Sequence, residues 1–265
     1  MRYRVDHDYH IHSHISSCSN DPEQTSEAIL RYAEKNGFEK ICLTDHFWDE
    51  TVPGAPYWYL PQNFAHISAA RPLPQGKNTK FLFGAETDLD RNLTLGISKE
   101  CFDEFDFVII PTTHLHMDGF TISEEDAATP EGRAAAWISR FNAVLDMDLP
   151  FHKIGIAHLA CALIAKPRED YSKILRLLPD AELYSAFAKA ARVGVGIELN
   201  SFDMSHTGEE RDAALHIFRI AKEQGCKFYL GSDAHHPSRF DNVKDVFERA
   251  VRDLDLTEND KFHIK

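Results

Sequence analysis

Residues 8–14 read Asp-Tyr-His-Ile-His-Ser-His, DYHIHSH, with histidine at positions 10, 12 and 14. Successive side chains of a strand point to opposite faces. His10, His12 and His14 are therefore expected on one face, and Tyr9, Ile11 and Ser13 on the other. A single histidine of this kind is ordinarily a hydrogen-bonded polar residue. Several imidazoles on one face of a strand make a candidate metal wall, provided that partners arrive from elsewhere in the chain.

Short β-rich runs recur along the sequence. Strands are expected near YHIHS, KICLTD, KFLFGAE, FDFVIIPTTH, KIGIAHL, GVGIELNS and KFYLGSDAH. Helical patterns stand between most of them. PEQTSEAILRYAEKNG has a Pro-Glu start, apolar residues spaced by three and four, and a stop at Gly37. TPEGRAAAWISRFNAVLDM opens on a Thr-Pro cap signal. DAELYSAFAKAARVG and EERDAALHIFRIAKEQG are amphipathic and end at glycine, and NVKDVFERAVRDL follows the last strand.

Seven strands alternating with helices imply parallel βα units. A βα barrel is expected over an open sheet. Polar residues close nearly every strand, and in βα barrels that rim carries the chemistry, whereas an open sheet concentrates it at one switch point. No repeat or linker divides the chain, so residues 1–265 are expected to form one domain. Two connections are long, 47–79 and 111–129; loops of that length often act as lids.

The bulk composition excludes some functions. With 42 acidic and 29 basic residues the net charge is −13, which opposes broad contact with a phosphate backbone. Bound divalent ions would invert that sign locally, so a small phosphorylated substrate remains compatible. The five cysteines have no CxxC spacing, so a reducing cytoplasm is expected rather than a disulfide framework. No apolar run approaches membrane-spanning length, and MRYRVDHDYH has no signal-peptide core.

Read strand by strand, the ends supply His10 and His12, then Asp45 and His46, then Glu86, then His114 and His116. His158 follows, then Glu198 and Asn200, and last Asp233, His235 and His236. One such residue means little. A potential ligand at almost every strand end points to a site for Zn, Mn or Fe, and the number of ligands exceeds one tetrahedral shell. Two or three divalent ions are expected.

The series H-x-H (His10, His12), TDH (residues 44–46), a strand-ending Glu86, isolated His114 and His158, and the final DAH (residues 233–235) resembles the PHP (polymerase and histidinol phosphatase) superfamily. The resemblance runs from His10 to His235 and implies a distorted (βα)7 barrel with a trinuclear metal site. It implies that His10, His12, Glu86 and Asp233 hold one ion, and that Glu86 bridges to a second held by His114 and His158. His46 and His235 then belong to a third. At the offset where the family commonly has another His or Asp, this chain has Cys18; either Cys18 or Asp21 completes that site. His14 is expected as a neighbour, and Asp45 as a group orienting a ligand histidine. Solvated or packing roles are expected for His7, His66, His152, His206, His216, His236 and His263.

The resemblance also implies an activity, with Glu86 and Asp233 as catalytic carboxylates. Clustered ions bring a bridging water toward neutral pKa and clamp phosphoryl oxygens, so the expected reaction is hydrolysis of a small phosphomonoester by metal-activated hydroxide. L-histidinol phosphate, and with it histidine biosynthesis, is the best-known substrate class among stand-alone relatives of this size. Two alternatives stand beside it: a nuclease or nucleotide phosphodiesterase, and a non-catalytic metal-binding regulatory module. Arg239, four residues after His235, is expected to grip phosphate through its guanidinium fork, with Arg168 as its rival. Asn200 and His116 are expected to contact the substrate.

Overall fold

The apolar runs become seven strands: β1 (His7–Ile11), β2 (Lys40–Leu43), β3 (Lys80–Glu86), β4 (Phe107–Pro111), β5 (Ile154–Ala157), β6 (Gly196–Asn200) and β7 (Lys227–Gly231). The structure is a computed structural model and describes residues 1–19 and 21–264. The strands lie in chain order in one sheet, each parallel to the next. Almost every strand residue is buried, as expected when helices cover one face and the other faces inward.

The sheet curls until β7 meets β1. Near the top the main chains pair: the Asp233 N–H donates to the His10 carbonyl (2.7 Å), and the His12 N–H to the Ala234 carbonyl (3.1 Å). Lower down, side chains of β1 replace the ladder. The Leu230 N–H donates to His7 Nε2 at 3.1 Å, and the Ser232 N–H to Asp8 Oδ1 at 2.9 Å. The fold is the expected (βα)7 TIM-like barrel.

Among the described residues eight helices join or flank the strands: α1 (Ser26–Asn36), α2 (Phe64–Ile67), α3 (Glu124–Ala127), α4 (Pro130–Asp146), α5 (Tyr171–Leu177), α6 (Asp180–Val193), α7 (Gly208–Glu223) and α8 (Val243–Asp253). The Thr25 hydroxyl caps α1 by accepting the Ala28 N–H, and Gly37 ends it at φ 70°, a left-handed conformation that glycine adopts without strain. The expected Pro22-Glu23 start is too early, because Asp21 Oδ1 takes the Glu23 N–H and holds a turn there. Thr129 caps α4 as its Thr-Pro signal predicts. β2 and β3 are joined by the short α2 and a 3-10 turn at Ser68–Ala70, and β3 and β4 by the 3-10 turn at Glu100–Glu104, so helices are thin on that side and the barrel is distorted.

Below the rim the barrel interior is plugged. Tyr9, Phe107, Tyr229 and Phe262 pack in one buried cluster, with Phe107 meeting the Tyr229 ring edge-on at 5.2 Å. Gly155 makes room for it: a Cβ there would come within 2.6 Å of both those rings. This aromatic floor closes the site from below. No described helix is long and apolar enough to cross a membrane.

Candidate metal centre

His10, Glu86 and Glu198 lie on the strands themselves, and His12, His46, His114, His158, Asp233 and His235 sit on the turns just above. Two of those turns are strained: His158 has φ 31° and Asp233 φ 53°, uncommon values for residues with a Cβ. Such backbone cost persists where the surroundings fix it and is typical of functional sites. Here it turns both side chains over the barrel axis.

Glu86, at the end of β3, is the centre of the arrangement. Its Oε2 lies 3.1 Å from His46 Nδ1, 3.2 Å from His12 Nε2 and 3.6 Å from His10 Nε2. Its other oxygen, Oε1, lies 3.3 Å from His158 Nε2 and 4.0 Å from His114 Nε2. Asp233 Oδ1 is 3.4 Å from Nε2 of both His10 and His12. Among the described residues three groups have their donor atoms within 4.8 Å of one another: His10, His12 and Glu86; Glu86, His114 and His158; and His12, Cys18, His46 and His235. Donors around a zinc-like ion, each at about 2.0–2.3 Å, sit roughly 3–4.5 Å apart, so each group is spaced to hold an ion.

The ring nitrogens that face away are also engaged. His10 Nδ1 pairs with Glu198 Oε1 at 2.7 Å, and Glu198 Oε2 takes the His158 N–H at 2.7 Å. His114 Nδ1 lies 3.0 Å from both oxygens of Asp88. His158 Nδ1 meets Thr113 Oγ1 at 3.0 Å. Partners of this kind fix ring orientation and raise ligand basicity. Gly231 on β7 leaves space for one of them, since a Cβ there would run into the Glu198 carboxylate and approach His10 Cβ at 2.7 Å.

The electrostatics follow from crowding. Burial alone would raise the Glu86 carboxyl, but the surrounding imidazoles, His46 and His10 foremost, hold it well below the usual carboxylate range. Burial would lower His10, but Glu198, Asp233 and Glu86 raise it to about 10. Desolvation would raise the Cys18 thiol, yet His46 and His12 bring it down to about 2. The site therefore stabilises anionic oxygen and sulfur beside imidazoles that are rich in positive charge. Cations could take the place of those protons.

Several sequence expectations change. His14 does not share the wall: β1 ends at Ile11, a turn follows, and His14 is exposed with Nδ1 3.3 Å from the Gln24 carbonyl. Asp45 orients no histidine; it accepts from the backbone N–H and the hydroxyl of Ser13, both at 2.6 Å, and so pins the turn after β1. Asp21 faces His236 at 2.5 Å, whereas Cys18 Sγ stands 3.9 Å from His12 Nδ1. Asn200 is fully buried beneath Asp233, with Nδ2 3.2 Å from Glu198 Oε2, and does not line the cavity. Arg239 lies on the outer surface with its guanidinium over the Phe202 ring at 5.0 Å. Arg168 is turned to Glu210 at 2.9 Å. His116 does line the cavity. Of the two roles expected for His7 it takes the packing one, buried in the β1–β7 seam.

The cavity above the cluster has a volume of about 430 Å³. Cys18, His46, Glu86, His114, Asp233 and His235 form its base, and Ser17, Trp58, His116, Met117 and Leu163 complete its wall. All five cysteines are free.

The family described as the PHP domain matches residues 8–202. No curated protein sequence matches the chain. Among solved structures, the fold is similar to histidinol phosphate phosphatase from Lactococcus lactis, determined in complex with zinc, L-histidinol and phosphate. The TM-score is 0.63 over 97% of this chain and 98% of that one, at 20% identity. At that identity the likeness is one of fold.

Proposed function

The chain belongs to the PHP domain family, and from that premise we propose that it hydrolyses a small phosphomonoester with the help of divalent metal ions. The observation that carries this reading is the two-sided placing of Glu86: one carboxylate oxygen faces His10, His12 and His46, the other His114 and His158. A carboxylate so placed is suited to bridging two ions. The donor chemistry fits them, since buried imidazoles, carboxylates and one thiolate converge, and no described lysine or arginine lines the cavity to neutralise them.

We assign His10, His12, Asp233 and Glu86 to one ion, Glu86, His114 and His158 to a second, and Cys18, His46 and His235 to a third, with His12 between the first and third. When bound, such ions stabilise negative charge on phosphoryl oxygens and lower the pKa of water. The chain's residues keep the donors aimed. Glu198, Asp88 and Thr113 hold the Nδ1 atoms of His10, His114 and His158, leaving each Nε2 toward Glu86. Glu86 and Asp233 remain deprotonated among imidazoles and serve as the catalytic carboxylates. The aromatic floor excludes water from below, and His116 is placed to contact the substrate at the mouth.

We read the whole of residues 1–265 as one such domain, because β7 and the turn after it, beyond the matched segment, close the barrel and contribute Asp233 and His235. The net charge of −13 favours a small monoester over a nucleic acid. The test is phosphate release by metal-loaded protein from a panel of phosphomonoesters, set against cyclic and oligonucleotide diesters. Chelator-sensitive turnover of monoesters is expected. Preference for diesters would make the chain a nuclease or phosphodiesterase, and no turnover of either would leave a metal-binding module.

A further inference from the structure

Part of the cavity wall has nothing to do with metal ions. Trp58, Met117 and Leu163 reach it from three separate connections, after β2, β4 and β5. Leu163 is 40% exposed. A single exposed leucine is ordinary on a protein surface. Three large apolar side chains converging from three loops onto the mouth of a polar cluster are the composition of a ligand wall.

Trp58 is held rigidly. Its ring lies against Tyr59, with centroids 3.8 Å apart, and meets Phe120 edge-on at 6.4 Å. Tyr59 is fully buried, and its hydroxyl donates to Asp88 Oδ2 at 2.8 Å. The same Asp88 faces His114. On its other side the indole meets His46 edge-on at 5.8 Å. The aromatic wall and the candidate metal cluster are thus fixed to each other through one buried carboxylate.

The charges at the wall also discriminate. Among the described residues the only carboxylates lining the cavity are Glu86 and Asp233, and both already face imidazoles of the metal groups. An ammonium group on the substrate would find no anion of its own and would lose hydration on entering.

Resting on the phosphomonoesterase reading, we infer that Trp58, Met117 and Leu163 form a subsite for the leaving group, selecting phosphomonoesters of uncharged aromatic or other apolar alcohols over those of amino alcohols. A phosphoryl group held by the metal-type residues turns the carbon side of the ester toward this wall. The ring of an aromatic alcohol packs on the Trp58 face and the Leu163 methyls, and its burial there is the source of selectivity.

Calorimetric binding to the metal-loaded full chain tests this without depending on turnover. The probes are ethylphosphonate, 2-phenylethylphosphonate and 2-aminoethylphosphonate, none of which can be hydrolysed at an ester bond. The phenyl compound is expected to bind about tenfold or more tighter than the ethyl compound, and the amino compound no tighter than ethyl. Trp58→Ala and, at the exposed position, Leu163→Ser should each cut the phenyl preference to about threefold or less, with metal content measured alongside. Equal affinities for phenyl and ethyl, tightest binding of the amino compound, absence of binding by all three, or a preference intact in both variants would overturn the subsite. Failure of the phosphomonoesterase reading would show separately, as absence of phosphate release in the ester panel.

Discussion

The Asp88 carboxylate presents both of its oxygens to His114 Nδ1, each at 3.0 Å, and Asp88 is completely buried. This contact fixes the His114 ring so that Nε2 faces Glu86. Burial would raise the Asp88 carboxyl, but His114 holds it below the usual range. Asp88→Asn keeps the shape and weakens the charge. It should lower affinity for the ion held by His114 and His158 about 10–100-fold while leaving the thiolate site loaded. Metal titration followed ion by ion checks this, and unchanged affinity at every site would remove Asp88 from the account.

Cys18 supplies the second prediction. Its sulfur stands with His12, His46 and His235, a donor set suited to thiophilic ions. Reconstitution with Co²⁺ should give a near-ultraviolet thiolate-to-metal charge-transfer band, which Cys18→Ser removes together with about one ion per chain. Asp21→Asn should leave the band intact, because Asp21 is turned to His236. A wild-type protein fully loaded with Co²⁺ and lacking the band would exclude the thiolate as a ligand.

The base of the barrel gives a prediction about pH. Asp6 lies 2.8 Å from His7 Nδ1 and 3.0 Å from Lys261 Nζ, tying β1 to the C-terminal segment. Burial would raise its carboxyl, but His7 and Lys261 bring it down to about 2. A folded-state pKa below the unfolded value of about 3.9 means that the ionised form favours folding. That stability is present above about pH 4 and is lost as pH falls through about 2. Asp6→Asn should therefore cost roughly 1–3 kcal/mol at neutral pH, a Tm drop of several degrees, and the gap to wild type should close on acidification. A gap that is constant from pH 7 to pH 2 would contradict the pairing.

Much of this molecule is legible in its sequence for stated reasons. The seven β-rich runs, the Thr129 cap and the Gly37 stop carry local chemistry that tertiary packing does not override. His10, His12, His46, Glu86, His114, His158, Asp233 and His235 stand at strand ends, and the barrel brings all of them together. The groups behind them were harder to see. Glu198 stands among the strand-end residues, though its place behind His10 depends on the barrel's curl, and the one local signal for Asp88 is its two-residue spacing from Glu86. Alternation misled at His14, because the strand ends before it and the main chain turns outward. Arg239 was expected near phosphate from its distance to His235 along the chain, but the turn at Pro237–Phe240 carries it to the outer surface over Phe202. Helix α5 is not among the expected helices although Tyr171, Ile174, Leu175 and Leu178 have helical spacing and are buried, because the pattern covers only two turns. In the sequence Trp58 is only part of a long loop; its place at the cavity depends on a tilted contact with buried Tyr59 and an edge-on contact with Phe120.

The bridging role of Glu86 is the claim on which the rest depends, and Glu86→Gln tests it most directly. The substitution preserves volume and removes the charge between the two sets of imidazoles. Metal stoichiometry and phosphomonoester turnover should be measured on the same folded preparation. The account predicts that wild type holds two or three ions per chain, that Glu86→Gln loses at least one, and that kcat/KM falls about a thousandfold, roughly 4 kcal/mol of transition-state stabilisation. A folded Glu86→Gln protein with its full complement of ions and near-normal turnover would contradict it.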